Sequence, residues 1–432
     1  MTNKNKKNNG RNGKKRIAMI SVHSDPLAKL GGREAGGQNV YLAELSKELG
    51  KMGWTVDIFT RLTRRRTKKM RRAAKNVNVI YLKSGPHFPI PKEDLLEKLP
   101  EFLGNFLDYK EKNKIDYSLV HGHYYDGGWV ATQIKRVLDI PMAQTFHSLG
   151  HIRHRALEKF IKDEVDLEPF EERIKTEQEI MRVADKIIAT NPPEKRDILR
   201  FYSFDFEDKI EIIPCGVNLQ RFKKLNKKKA RELRKISKDE ITLLYVGRLD
   251  HRKGIEVTIR ALPKVVKEFN KEGKTVKFIV IGGKIGKRGD KSDIKEKERL
   301  EEIAENLGVK ENIAFKGKRD QEKLKQYYSA ADIFITAPYY EPFGMTALET
   351  MRCGTPIIAS DVGGLPYLIK NRKNGLLFPP GKHSSLSNRI IKLQKDEELQ
   401  EKLSESGEAM IKERYGWKVV ASEMAKLYQQ LI

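Results

Sequence analysis

Two cysteines stand among 432 residues, Cys215 and Cys353, far apart and in no CxxC spacing. That scarcity excludes a disulfide framework and a zinc ribbon, and it suits a reducing compartment, read here as the cytoplasm. No run approaches the roughly eighteen apolar residues that a bilayer span needs. The opening MTNKNKKNNGRNGKKR has no apolar core behind its charges, so it does not read as a secretory signal. Neither GxGxxG after a first strand nor a Walker A sequence occurs, which disfavours dinucleotide and P-loop chemistry. Zinc-finger spacing and RNA-binding signatures are missing too, so no specific nucleic-acid partner is expected.

Acid is absent where base is densest. The first sixteen residues carry seven Lys or Arg, and residues 61–75 carry nine, neither stretch with any acid. Together they supply sixteen of the net charge of +26. Residues 1–15 read as a disordered, solvated basic tail. Segment 61–75 stays open between a weak contact with an anionic membrane or polyanion and a lysine-rich surface of the heat-adapted kind.

What is present is a long alternation of apolar runs and helical patterns, the mark of doubly wound α/β architecture. The length points to two domains. A first series of strands runs from 15–22 through 56–60, 77–82, 118–122, 141–146 and 186–190 to 209–213. A charged stretch, 219–240, with a short helix in KKKARELRK, reads as a linker between a domain at 16–218 and a second at 241–415. Strands of the second fall at 242–246, 276–282, 313–315, 332–336 and 355–360, and 284–297 reads as an exposed loop. A helix over 416–432 closes the series and is free to return to the first domain. The expected fold is two Rossmann-like domains whose parallel sheets face each other across a cleft.

Chemistry-bearing residues gather where strands end, the edge at which such sheets build sites. Gly36 and Gly37 in GGREAGGQNVY precede a helix and invite an anionic group close to the backbone. VGRLDHRKG brings Arg248 and Lys253 to a helix start, two cations suited to a diphosphate. HGHYYDGGW and TFHSLG place Tyr124, His147 and Ser148 after buried strands. EPFGMTALE sets Glu341 and Glu349 eight positions apart, on one side of a helix if helix runs through both. SDVGGLP follows with another glycine pair.

This ordered set resembles the retaining nucleotide-sugar glycosyltransferases of family 4, which have the GT-B fold; the resemblance runs from about Arg16 to the last helix. It implies that Arg248 and Lys253 hold the donor diphosphate, that Glu341 accepts from donor-sugar hydroxyls, and that Glu349 binds the ribose. It further implies backbone contacts from Phe343, Gly344, Met345 and Thr346, a diphosphate contact at Gly37, and His147 beside the donor sugar. No DxD follows a strand, so no metal and no cofactor beyond the nucleotide-sugar cosubstrate is expected. On the acceptor side the matching residues are Lys92, Tyr124, Ser148 and Arg173, a set suited to a phosphorylated small molecule.

The branch signals disagree. YDGG and FHSLG look like sucrose-phosphate synthases, whereas HSDPLAKLGGREAGGQNVY looks like inositol-phosphate N-acetylglucosaminyltransferases. The expectation taken is hexosyl transfer from UDP-glucose to fructose 6-phosphate or a similar sugar phosphate. Alternatives are the inositol-phosphate reaction, a glycolipid acceptor and a non-enzymatic polyanion-binding protein.

Overall fold

The computed structural model describes residues 15–28, 36–65, 67–161, 170–202, 207–286 and 289–432, with the side chains of residues 92 and 93 excepted. The expected basic tail, 1–14 of it, and the side chain of Lys92 therefore lie outside the described residues.

Eight strands build the first sheet: β1 (Arg16–Ile20), β2 (Thr55–Arg61), β3 (Met70–Ala74), β4 (Val77–Leu82), β5 (Leu119–His123), β6 (Met142–Thr145), β7 (Lys186–Ala189) and β8 (Ile210–Ile212). Their spatial order is β3-β4-β2-β1-β5-β6-β7-β8, parallel throughout except that β3 runs antiparallel to β4. The second sheet has β9 (Glu240–Val246), β10 (Thr275–Ile281), β11 (Ile313–Phe315), β12 (Ile333–Thr336), β13 (Ile357–Ser360) and β14 (Leu376–Phe378). Its order is β11-β10-β9-β12-β13-β14. Central strands such as Ile17–Ile20 and Ile333–Thr336 are buried along their length because helices cover both faces.

Sequence order reverses direction between β1 and β5 in the first sheet and between β9 and β12 in the second. Ligands bind outside the strand ends at such switch points. The Gly36–Gly37 turn follows β1, HGHYY ends β5, VGRLD follows β9 and EPFG follows β12, so all four motifs lie at those two places.

Three points of the sequence reading change. The basic segment 61–75, given no strand from sequence, is partly strand: Arg61 ends β2, and Met70–Ala74 forms an exposed edge strand. Its MRRAA has no apolar alternation because neither face packs into a core, which is how a charged edge resists further pairing. Nor is 284–297 loop throughout, since a helix starts at Lys291 behind Asp290, whose carboxylate accepts from the Ser292 N–H. Third, the helix after EPFG spans Met345–Arg352, so Glu341 precedes it and does not share its face with Glu349.

The charged 219–240 stretch contains the Lys227–Arg234 helix, fixed to the second sheet by Lys227 and Arg231 on Asp332 at 2.6 and 3.1 Å. Beyond the second sheet, the Trp417–Leu431 helix packs back against the Gly37–Lys51 helix of the first half. Val217 bridges to Gly416 where the two crossing segments meet. One apolar cluster runs from Leu45 and Trp54 through Tyr428 and Trp417 to Phe343 and Leu348, so the halves share a core at the crossing.

Candidate active site

Among the described residues seven non-glycines have positive φ, and two of them, Tyr124 (65°) and His147 (59°), are aromatic residues directly or shortly after the strands β5 and β6. A bulky side chain in that region stores strain that the surrounding packing must hold, a pattern concentrated at functional sites. Gly127, in the DGG after Tyr125, serves packing instead. A Cβ on Gly127 would stand 2.3 Å from the Ile20 carbonyl oxygen, so the helix after β5 lies directly on β1.

His147 belongs to a file of three histidines. Its Nε2 lies 3.1 Å from His123 Nδ1, and the His123 ring sits 4.1 Å from that of His121. His121 is bonded to Thr145 Oγ1 at 2.9 Å and to the hydroxyl of Tyr428, from the last helix, at 2.6 Å. Burial holds His121 and His147 down to about 3, and His123 well below its ordinary range, so all three are neutral at physiological pH. His123 Nε2 is buried without a hydrogen-bond partner among the described residues. An orphaned N–H costs more than an orphaned lone pair, which places the His123 proton on Nδ1, donating to His147. His147 is then protonated on Nδ1.

Across the cleft, VGRLDHRKG makes a short 3-10 turn, His251–Lys253, capped by Asp250, which accepts from the Arg252 N–H at 3.1 Å. Burial raises the Asp250 pKa, but the paired Arg252 and the nearby Arg248 and Lys253 hold it below the usual carboxylate range. Arg248, 3.8 Å from Asp250, remains 45% exposed and faces solvent. Lys253 Nζ is 2.7 Å from Glu341 Oε2, so the cation expected on the diphosphate and the carboxylate expected on the sugar are partners of each other here. Gly254 (φ 58°) lets this turn close, because a Cβ there would stand 2.0 Å from the Ala337 carbonyl oxygen.

The remaining residues expected on the donor side lie near one another. A Cβ on Gly37 would meet Met345 Sδ at 3.1 Å, so the first half's glycine turn touches the second half's helix. The Gly36 N–H is already taken by Asn39 Oδ1 at 2.8 Å. Phe343 is buried and anchors the loop, Gly344 (φ 100°) caps the helix, and Met345 and Thr346 open it with N–H groups that no earlier turn can accept. Glu349 accepts from the Tyr328 hydroxyl at 2.8 Å. It lines a small recess with Met345, Arg221, Val40, Gly216 and Trp417. Burial lifts its pKa to about 7, with Tyr328 and the Arg221 charge acting against that rise.

On the acceptor side, Arg173 is buried and stacks 4.8 Å from the Tyr124 ring. Its Nε donates to Glu177 at 2.8 Å and its Nη2 to the Ser148 carbonyl at 2.6 Å and hydroxyl at 3.3 Å. Nη1 has no partner among the described residues. Arg173, Ser148 and Tyr124 are thus brought together.

Sequence reasoning did not single out Asp250, His123, Tyr328 or Tyr340. Only His123 left a signal, the doubled histidine of HGHYY at the two-residue spacing that puts both on one face of a strand.

Known proteins now bear on this geometry. The model of "Glycosyl transferases group 1" matches residues 226–410, and that of "Glycosyltransferase Family 4" matches 35–221. The D-inositol 3-phosphate glycosyltransferase of Corynebacterium jeikeium is 31% identical over 420 residues, 96% of this chain and 97% of that protein. Its namesake from Streptomyces bingchenggensis is 32% identical, over 96% and 89%. Among solved structures, sucrose-phosphate synthase from Thermosynechococcus elongatus superposes with a TM-score of 0.87 at 35% identity, covering 96% of this chain and 99% of that one. With relatives this similar end to end, and with the motifs at both switch points, the chain belongs to glycosyltransferase family 4, the retaining nucleotide-sugar-dependent transferases of the GT-B fold.

Proposed function

We propose that this enzyme transfers a hexosyl or N-acetylhexosaminyl group from a UDP-sugar to a phosphorylated small acceptor, with an inositol phosphate as the first-ranked acceptor class. The observation that carries the phosphorylated acceptor is Arg173, buried beside Tyr124 and Ser148 with Nη1 unpartnered among the described residues. A buried guanidinium nitrogen without a partner calls for an anion. The curated relatives named above favour inositol phosphate, which reverses the order expected from sequence. Fructose 6-phosphate is the second reading, supported by the higher identity to the sucrose-phosphate synthase.

In this reading donor binding exchanges the Lys253–Glu341 pair. Lys253 and Arg248 turn to the diphosphate, and Glu341 takes the sugar hydroxyls. The bond between C1 and the leaving phosphate oxygen breaks as the acceptor oxygen bonds C1 on the same face. The acceptor's proton passes to that phosphate oxygen, and the two cations stabilise the charge that develops there. His147 Nδ1–H donates to the sugar, and closure over Gly37 and Met345 excludes water.

The test is nucleotide release and product mass from UDP-glucose, UDP-N-acetylglucosamine, GDP- and ADP-sugars, each offered inositol 3-phosphate, fructose 6-phosphate and their dephosphorylated forms. Transfer to a phosphorylated acceptor is expected. Turnover of dephosphorylated acceptors alone would remove the proposal.

A further inference from the structure

Tyr340 stands between the second sheet and Glu341, yet its hydroxyl bonds into the first half. It lies 3.1 Å from Ser148 Oγ and accepts from the Leu149 N–H at 3.2 Å. Leu149 is the residue before the Gly150–Phe160 helix, so that N–H belongs to a helix entrance. Having accepted from Leu149, the Tyr340 hydroxyl keeps its proton for Ser148 Oγ. Ser148 Oγ also lies 3.3 Å from Arg173 Nη2, which has no acceptor capacity and donates. With both its lone pairs engaged, Ser148 retains one group to offer, its own O–H. That proton and the unpartnered Arg173 Nη1 are two donors in one small space with no acceptor between them among the described residues.

We propose that Tyr340 is a positioning residue for the acceptor's anionic group. It polarises the Ser148 hydroxyl into a donor, and it completes the anion site from the opposite half of the molecule. The next residue, Glu341, is ion-paired to Lys253, and in the proposed function these two hold the donor. The acceptor site is therefore whole only when the halves are closed, and donor and acceptor anion strengthen each other's binding by linkage. This rests on the phosphorylated-acceptor reading above, and the binding arm below is chosen to separate the two.

The experiment compares wild type, Tyr340→Phe and Ser148→Ala. Calorimetry measures inorganic phosphate binding with and without saturating UDP, and steady-state kinetics follow with whichever phosphorylated acceptor is turned over. In wild type, UDP should tighten phosphate binding. In Tyr340→Phe, phosphate affinity with UDP present should fall about tenfold, the loss expected for one charge-linked hydrogen bond. UDP affinity measured alone should stay within twofold, which also reports that the fold is intact. The acceptor KM should rise by a similar factor with kcat little changed, and Tyr340→Phe combined with Ser148→Ala should cost no more than Ser148→Ala alone. Unchanged phosphate affinity in Tyr340→Phe, additive effects of the two substitutions, or a fall in kcat at constant acceptor KM would each overturn the proposal. Tyr340-dependent phosphate binding without transfer to any phosphorylated acceptor would uphold it and remove the reaction proposed above.

Discussion

Glu341 and Glu349 differ in what surrounds them, and their substitutions should differ accordingly. Glu341 is ion-paired to Lys253 beside the turn after β9. Under the proposed function, Glu341→Ala removes the sugar anchor and leaves Lys253 without its partner, so kcat should fall by about two to three orders of magnitude. Glu349 sits on the helix that follows, bonded to Tyr328. Glu349→Ala should raise the donor KM about tenfold or more with a smaller effect on kcat; steady-state kinetics in donor separate the two outcomes. Equal losses of kcat alone would point instead to two carboxylates acting as acid and base. The raised Glu349 pKa, about 7, adds a pH dependence. If Glu349 binds the ribose as proposed, only its ionised carboxylate accepts from two hydroxyls, so the donor KM should fall as pH rises from 6 to 8, and Glu349→Gln should flatten that profile. Stability runs the other way. Between the ordinary 4.5 and about 7 the folded chain holds a proton that the unfolded chain has released, so stability drops as pH climbs through that window. Glu349→Gln should therefore raise the melting temperature at pH 8 while weakening the donor.

At the scale of elements, the turn after β9 offers a backbone test. Gly254→Ala puts a Cβ against the Ala337 carbonyl oxygen at a positive φ, and neither backbone can yield cheaply. Thermal unfolding should show a loss on the order of 2 kcal/mol or more, with donor affinity falling because Lys253 is displaced. Elements also show where sequence reading succeeded. Buried parallel strands such as IAMI and IFIT are continuous apolar runs bounded by polar turns, and they are legible because both faces need apolar side chains. β3 carries no such pattern, since its side chains are mostly exposed. The site motifs were legible because glycines, cations and carboxylates at strand ends are chosen for chemistry and not for packing. Tyr340 and the partners of His123 were not, because each contact is made to a neighbour distant in sequence, Ser148 across the cleft and His147 just after an adjacent strand. No local spacing encodes those contacts.

For the molecule as a whole, the file of three histidines ties the acid limit of folding to the active site. Buried and neutral, with pKa values held near 3 for His121 and His147, they gain protons only when the chain unfolds. Their contribution is intact above the ordinary 6.5 and is lost as pH falls from there toward 3. Denaturant melts at pH 7 and pH 5 should show a drop of a few kcal/mol, and His121→Gln should reduce that pH difference. An unchanged difference in that variant would show that other groups set the acid limit.

The helix Trp417–Leu431 has a consequence in time. It covers the outer helix of the first sheet and bonds Tyr428 to His121, yet it is synthesised after the whole of the second sheet. A growing chain leaves the ribosome with the first half's strands in hand and the surface around Leu45 and Trp54 still bare. The second half must form while that apolar face waits, so the first half finishes folding last. Slow or interrupted translation past the second sheet should leave a species that chaperones hold and proteases find.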